Sequence, residues 1–419
     1  IGYATLMFDL SGVSEELLPY TGILQSVLGI IDTNNYGYGE LFNEINVHTG
    51  GIGTSLELYP DVTKAKEKDF RATFEIKGKA LYPQMKILFA MMREILMESR
   101  LDDEKRLKEI LAMLKSRLQM SFQSSGHTTS ALRALSYGSP LSKFKDDTDG
   151  IGFYEVVRDI EEHFEEKKAE LIQNLKQLSR QIFRVDNVMI SYTSSEDGLA
   201  PMEAAFREIK DTLYPELDGE EIPCVLHGRK RNEGFKTSSK VQYVARVGNF
   251  IDHGAQYHGA LQILKVILSY DYLWQNVRVK GGAYGCMSNF NRIGEGYLIS
   301  YRDPNLKKTM EVYEGVVDYL KNFTVDERDM TKYIIGTISN IDRPMNPAAK
   351  GDRSMNLYMN HVSQEMIRTE RSQILHAAQE DIRALAAVVE AMLKAEQICV
   401  IGSEEKIEEE KEMFLEVKT

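Results

Sequence analysis

Cysteine is scarce. The three in 419 residues, Cys224, Cys286 and Cys399, stand far apart, so they offer neither a disulfide framework nor a CxxC metal pair. A reducing compartment fits that usage. Long apolar runs are missing as well: no stretch approaches the roughly 18 residues of a transmembrane helix, and no signal peptide is visible. Basic charge is in deficit. Lys and Arg number 51 against 63 Asp and Glu, a net charge of −12. That balance argues against nucleic acid or an anionic membrane as the main partner, because both reward basic faces. The chain also lacks a Gly-x-Ser-x-Gly elbow, a Walker loop and a Gly-x-Gly-x-x-Gly fingerprint, which removes the common hydrolase, phosphate-cradle and dinucleotide signatures.

Histidine gives no metal pattern. There are eight, and none stands in an HxxEH, HExxH or HxxxH spacing, the arrangements that turn two imidazoles to one side of a helix. Asp159-Ile160-Glu161-Glu162-His163 has the shape of HxxEH with Asp in the first ligand's place. It sits in a run dense in Glu and Lys, where a solvated helix face is expected. His253 and His258 are five apart and turn to different sides of a helix. His48 and His127 precede a glycine turn and a short helix, where capping or packing accounts for them.

What is present reads as an ordinary globular chain, 43% hydrophobic and 27% charged, long enough for two or three domains. It opens Ile1-Gly2-Tyr3-Ala4-Thr5-Leu6-Met7-Phe8-Asp9-Leu10, without an initiator Met and already strand-like, as expected of a piece cut from a longer polypeptide. Periodicity predicts a strand over 3–10, a helix over 14–31, a short helix over 40–47, a Gly50-Gly51 break, and strands over 52–59 and 69–77. Helices over 81–97, 102–123 and 128–137, a long charged helix over 150–183 and a strand over 185–192 complete this first round. The order then recurs: a strand over 240–247, a helix over 255–274, a glycine turn, two strands ending at 301, several helices and a closing strand over 397–401. The chain is therefore an internal duplication. Residues 1–196 form a first α+β repeat, 197–239 a helix and linker, and 240–419 a second repeat. The fold class is α+β: two homologous domains, each a mainly antiparallel sheet with helices on one face. The basic run Arg229-Lys230-Arg231 in the linker reads as a solvated loop.

The two copies differ at one place. Arg278-Val279-Lys280-Gly281-Gly282-Ala283-Tyr284 puts an arginine and a tyrosine on either side of a glycine pair, whereas the first copy has Val47 and Gly53 in the corresponding positions. Both side chains donate hydrogen bonds, and Arg keeps its charge at any working pH. Such a turn could serve only as a strand entry. Decoration of one copy and not the other points to a carbonyl- or carboxylate-holding role.

The stretch Val277 to Gly285, followed by Leu298-Ile299-Ser300-Tyr301-Arg302-Asp303-Pro304-Asn305, resembles the C-terminal half of the pitrilysin/insulinase-type (M16) zinc metallopeptidases, most closely the presequence-protease branch. Leu18-Pro19-Tyr20, Thr49-Gly50-Gly51-Ile52, Ser125-Gly126-His127 and Ala348-Ala349-Lys350-Gly351 extend the likeness over nearly the whole chain. The resemblance implies domains three and four of a four-domain clamshell that closes on unfolded peptides. It implies a zinc held by an N-terminal half that is the partner of this one, with no metal ligand in this chain. Arg278 and Tyr284 then match the family's pair that reaches the substrate at the zinc, and Gly281, Gly282 and Ala283 match the backbone over which the peptide lies. The expected location is the cytoplasm of a bacterium, or the mitochondrial matrix or plastid of a eukaryote. The alternative is a relative of the same fold that serves only as a structural or assembly subunit, without peptidase activity.

Overall fold

The computed structural model describes residues 1–216, 226 and 228–419; Cys224 and the Asp218-Gly219-Glu220-Glu221 run lie outside the described residues. Strand β1 (Gly2–Asp9) leads to α1 (Leu18–Val27), α2 (Tyr38–His48) and the pair β2 (Ile52–Pro60) and β3 (Phe70–Ala80). Then come α3 (Met85–Met97), α4 (Glu104–Ser124), α5 (Gly126–Leu135), α6 (Pro140–Asp149), α7 (Ile151–Glu162), α8 (Phe164–Ile182) and β4 (Val188–Thr193). After α9 (Leu199–Lys210) and β5 (Glu233–Thr237), the order recurs as β6 (Tyr243–Asn249), α10 (Ala260–Tyr270), β7 (Gly285–Phe290) and β8 (Glu295–Tyr301). Helices α11 (Lys307–Glu314), α12 (Val316–Lys321), α13 (Glu327–Ile341), α14 (Pro347–Met359), α15 (Gln364–Leu375) and α16 (Gln379–Leu393) lead to β9 (Gln397–Ser403), α17 (Glu404–Glu409) and β10 (Glu416–Lys418).

The recurrence predicted from the sequence is present, with local differences. The long helix over 150–183 is two helices broken at His163. Its apolar stripe, Val157, Ile160, Phe164, Leu171 and Leu175, runs through the break without changing period, so the pattern alone reads as one rod. Helix α6 lies where no helix was expected. It is rich in Asp and Lys, yet the Ser139 side chain accepts from the Ser142 N–H and Pro140 opens the first turn, a start signal legible in the sequence. Strand β5 falls in the segment read as linker and pairs in parallel with β9.

The first sheet has the order β2-β3-β1-β4 and the second β10-β5-β9-β6-β8-β7. Every pairing in the first is antiparallel, as are those joining β9, β6, β8 and β7 in the second. One face of the first sheet, with Leu6, Phe8, Phe74 and Ile76, is buried against α1, α3 and α8. Phe183 stands edge-on to both Phe8 and Phe74 at 5.2 and 5.1 Å. One face of the second sheet, with Val244, Leu298 and Val400, is buried against α10 and α16.

The other face of each sheet is covered by a helix of the opposite repeat. Ala131 and Ala134 of α5 pack on Ala245, Val247, Ile299 and Cys399 of the second sheet. In return, Met355 and Met359 of α14 pack on Met7, Tyr59 and Met189 of the first. Each crossing begins at a glycine. A Cβ on Gly126 would run into the Tyr243 ring, and one on Gly351 into the Thr193 side chain.

A buried ion cluster fixes the first of these crossings. Arg133 of α5 donates in a fork to Glu233 of β5 at 2.5 and 2.9 Å and to Asp146 of α6 at 2.5 Å, while Lys418 reaches Glu233 at 2.8 Å. Burial opposes the charge on Glu233, but Arg133 and Lys418 outweigh it and hold the carboxyl down at about 2. Removing one member of such a cluster strands its partners in low dielectric. Arg133→Met is therefore expected to lower unfolding free energy by about 3–5 kcal/mol, read as a fall in the urea midpoint at unchanged slope. A loss under about 1 kcal/mol, the range of a surface pair, would contradict the cluster's role.

Candidate functional site

The decorated glycine turn begins where α10 ends. Instead of continuing as an α-helix, the chain makes a wide π-helical turn over Trp274–Val279, in which the Lys280 N–H reaches the Gln275 carbonyl at 3.0 Å. Such turns place one extra residue per coil and re-aim the side chains that follow. The two glycines then act differently. Gly281 has no room for a Cβ against the Val277 carbonyl, and Gly282 is left-handed at φ 82°. That turn lets the Gly282 and Ala283 N–H groups bond back to Arg278 and Val277 at 2.8 and 3.1 Å, and Asn305 Nδ2 donates to the Gly281 carbonyl at 2.6 Å. Ala283 is buried, so Gly281 and Ala283 shape the turn while Gly282 forms its exposed lip. In the first repeat, Gly51 is also left-handed, at φ 103°, but exposed Val47 of α2 stands in the place of Arg278.

The turn lifts Arg278 onto the face of Trp274, the one tryptophan of the chain, at 4.1 Å. The Tyr284 ring lies 5.8 Å from the same guanidinium. The Tyr284 N–H is pinned to the Tyr301 carbonyl at 3.0 Å, and the two rings meet edge-on at 5.8 Å. Tyr284 is 66% exposed. Among the described residues no carboxylate pairs with half-buried Arg278. The sequence-expected pair is thus brought together beside its glycine turn.

The floor beneath them draws on both repeats. His127 of α5 stands edge-on to Tyr301 at 4.8 Å, and Tyr243 of β6 lies 5.6 Å from Tyr301. The Tyr243 hydroxyl donates to the Gln123 carbonyl at the end of α4. Neither His127 nor Tyr301 is marked by periodicity; both were visible only inside the stretches that carry the family resemblance.

Other candidates fall away on geometry. His163 and Lys167 both hold Asp159 on an exposed helix junction, so that acidic run is a surface ion cluster. Burial pushes the Cys286 thiol, one strand residue beyond the turn, up to about 11, which leaves little thiolate at neutral pH. Among the described residues no group of three His, Cys, Asp or Glu comes together as a metal site, and none of the helices is long and apolar enough to cross a membrane.

His127 supplies a pH signature. Burial alone holds its pKa below the ordinary value of about 6.5, and its Nδ1 is buried without a hydrogen-bond partner. Above the unfolded pKa the residue adds no pH dependence. As pH falls below it, the unfolded chain takes up the proton first, and the folded state loses stability until the folded pKa is passed. His127→Gln is expected to reduce that acid slope in urea unfolding measured between roughly pH 7 and 5; an unchanged slope would contradict a buried neutral imidazole.

Comparison with known proteins agrees with this picture. A domain described as associated with subfamily C of the M16 peptidases matches residues 1–160, and the one described as "PreP C-terminal domain" matches residues 232–404. The protein HypA of Clostridium perfringens is 38% identical over 100% of this chain and 42% of its own length. Presequence protease 1 of Arabidopsis thaliana, labelled chloroplastic/mitochondrial, is 27% identical over 99% of this chain and 39% of its own. The chain thus spans about two fifths of the length of the curated relatives it matches. A solved structure titled a peptidase M16 inactive domain, from Pseudomonas fluorescens, shares the fold with a TM-score of 0.61 at 14% identity, covering 96% of this chain and 93% of that one. With two such domains in sequence order and presequence proteases aligned along it, this chain belongs to the M16 peptidases as a C-terminal half of the presequence-protease type.

Proposed function

We propose that this chain is the substrate-binding half of a zinc metalloendopeptidase that degrades unfolded peptides in a closed chamber. What carries the reading is the Arg278–Tyr284 pair: Arg278 stacked on Trp274 and without an acidic partner among the described residues, Tyr284 exposed, and the pair present in one repeat only. Among the described residues no His, Cys, Asp or Glu group comes together as a metal site, and zinc held by an N-terminal half would supply the Lewis acid. On that reading Tyr284 Oη and the Arg278 guanidinium donate to the scissile carbonyl and to the charge that develops on its oxygen. They are positioned before substrate arrives, by the Trp274 face on one side and the Tyr301 ring on the other, so little reorganisation is needed. The exposed Gly282 lip lets an extended peptide pass close to both donors. Arg is suited to this position because its planar charge keeps its direction when stacked.

A second reading is a fold relative without peptidase activity, and the likeness to a structure titled an inactive domain favours it. The two readings differ in outcome. In the full-length protein, Arg278→Ala or Tyr284→Phe is expected to lower kcat for an unfolded peptide by about 10²–10³, with folding checked by thermal melting. Unchanged cleavage would remove the pair from the reaction, and no metal-dependent cleavage by the full-length protein would favour the second reading.

A further inference from the structure

The row of side chains does not end at Tyr301. Arg302 follows it directly, and its guanidinium lies over the Tyr301 ring at 5.4 Å. The side chains meet one after another, Trp274, Arg278, Tyr284, Tyr301, Arg302, with spacings of 4.1, 5.8, 5.8 and 5.4 Å. Arg302 is exposed, and no carboxylate among the described residues pairs with it. The tyrosines near it are Tyr243, Tyr301 and Tyr284, none of them a carboxylate.

The backbone at Arg302 is unusual. Its φ is +48°, a conformation that a long L side chain adopts only when its surroundings impose it. The neighbours do so. Gln242 and Asp303 exchange both backbone hydrogen bonds at 2.7 and 2.8 Å, and the buried Asp303 carboxylate accepts from the Asn305 N–H at 2.9 Å and from Thr309 Oγ1 at 2.6 Å. With Tyr301 held in β8 and Asp303 held in the interior, the residue between them is turned out beside Tyr284, whose N–H reaches the Arg302 carbonyl at 3.3 Å.

We propose that Arg302 determines specificity by reading a carboxylate on the bound peptide, within about three residues of the bond held at Arg278 and Tyr284. The two steps from the Tyr284 ring to the Arg302 guanidinium, 5.8 and 5.4 Å, span at most about three residues of extended chain at ~3.3–3.6 Å each. A guanidinium on an aromatic floor, with its donors turned outward, matches the planar, two-oxygen geometry of a carboxylate. The inference rests on the peptide-binding reading above. The carboxylate has two possible sources, an acidic side chain or the peptide's own C-terminus.

The test uses the full-length protein and an unfolded peptide with one cleavage site. In one arm Glu and Gln are compared at each position within five residues of the cleaved bond; in the other the C-terminus is free or amidated at the same distances. The expected result is a preference for the carboxylate of roughly tenfold in kcat/KM at one position. Arg302→Asn should bring that ratio close to one, because Asn tolerates the left-handed backbone but carries no charge, and Arg302→Lys should keep part of it. A preference confined to the free-acid arm would make the C-terminus the source. The proposal is overturned if no position discriminates in the unmutated protein, which needs no variant to fold, or if discrimination survives in a folded Arg302→Asn. If Arg278→Ala and Tyr284→Phe abolish cleavage while Glu and Gln remain equivalent, this inference alone fails. If those two variants cleave normally, the underlying reading fails as well.

Discussion

Everything in this chain depends on the exchange of one helix between repeats. A mainly antiparallel sheet has two faces, and each sheet here fills only one of them with its own helices. The second face would expose Val247, Ile299 and Tyr243 in one repeat and Met7 and Met189 in the other. Helices α5 and α14 cover them reciprocally, and Gly126 and Gly351 let each helix approach its sheet closely. Neither repeat can complete its packing without the other. The buried Arg133–Glu233–Asp146 cluster adds direction to one crossing, since a charged fork that is satisfied only in one register excludes its neighbours.

That exchange also builds the site. His127 rides on α5 from the first repeat and props Tyr301 of the second, and Tyr301 in turn holds Tyr284 through both its carbonyl and its ring. The side chains that meet solvent, Arg278, Tyr284 and Arg302, all come from the second repeat, but one of their supports does not. The chain as a whole carries −12, yet among the described residues no carboxylate pairs with either guanidinium of the row, an arrangement suited to an extended peptide with at least one acidic group.

The sequence was legible where the physics is local. Strand alternation, helical period and the left-handed glycines follow from short-range geometry, and so the recurrence, the two sheets and the Arg278–Tyr284 turn were all readable. The one-sided decoration of that turn was the decisive signal, because a plain copy 231 positions earlier, Gly51 against Gly282, served as an internal control. What was hidden is non-local. Nothing in the residues of α5 says that it crosses the other repeat's sheet, so His127 looked like ordinary packing. Strand β5, Glu233-Gly234-Phe235-Lys236-Thr237, has weak strand character and is recruited by parallel pairing to β9. The break at His163 was hidden by an apolar stripe that keeps its period across it. The left-handed backbone of Arg302 could not be read at all, because it is imposed through Asp303, which Gln242 from a distant part of the chain and Thr309 hold in place.

The central claim is that an unfolded peptide lies across the row from Trp274 to Arg302. Trp274 is the only tryptophan of the 419-residue chain, and it stacks directly on Arg278, so its emission reports on that row alone. Titrating the chain with a tryptophan-free unfolded peptide should give a saturable change in Trp274 fluorescence that Arg278→Ala weakens. Peptide binding detected by the anisotropy of a label on the peptide, with no change at Trp274, would place the peptide elsewhere and contradict the claim.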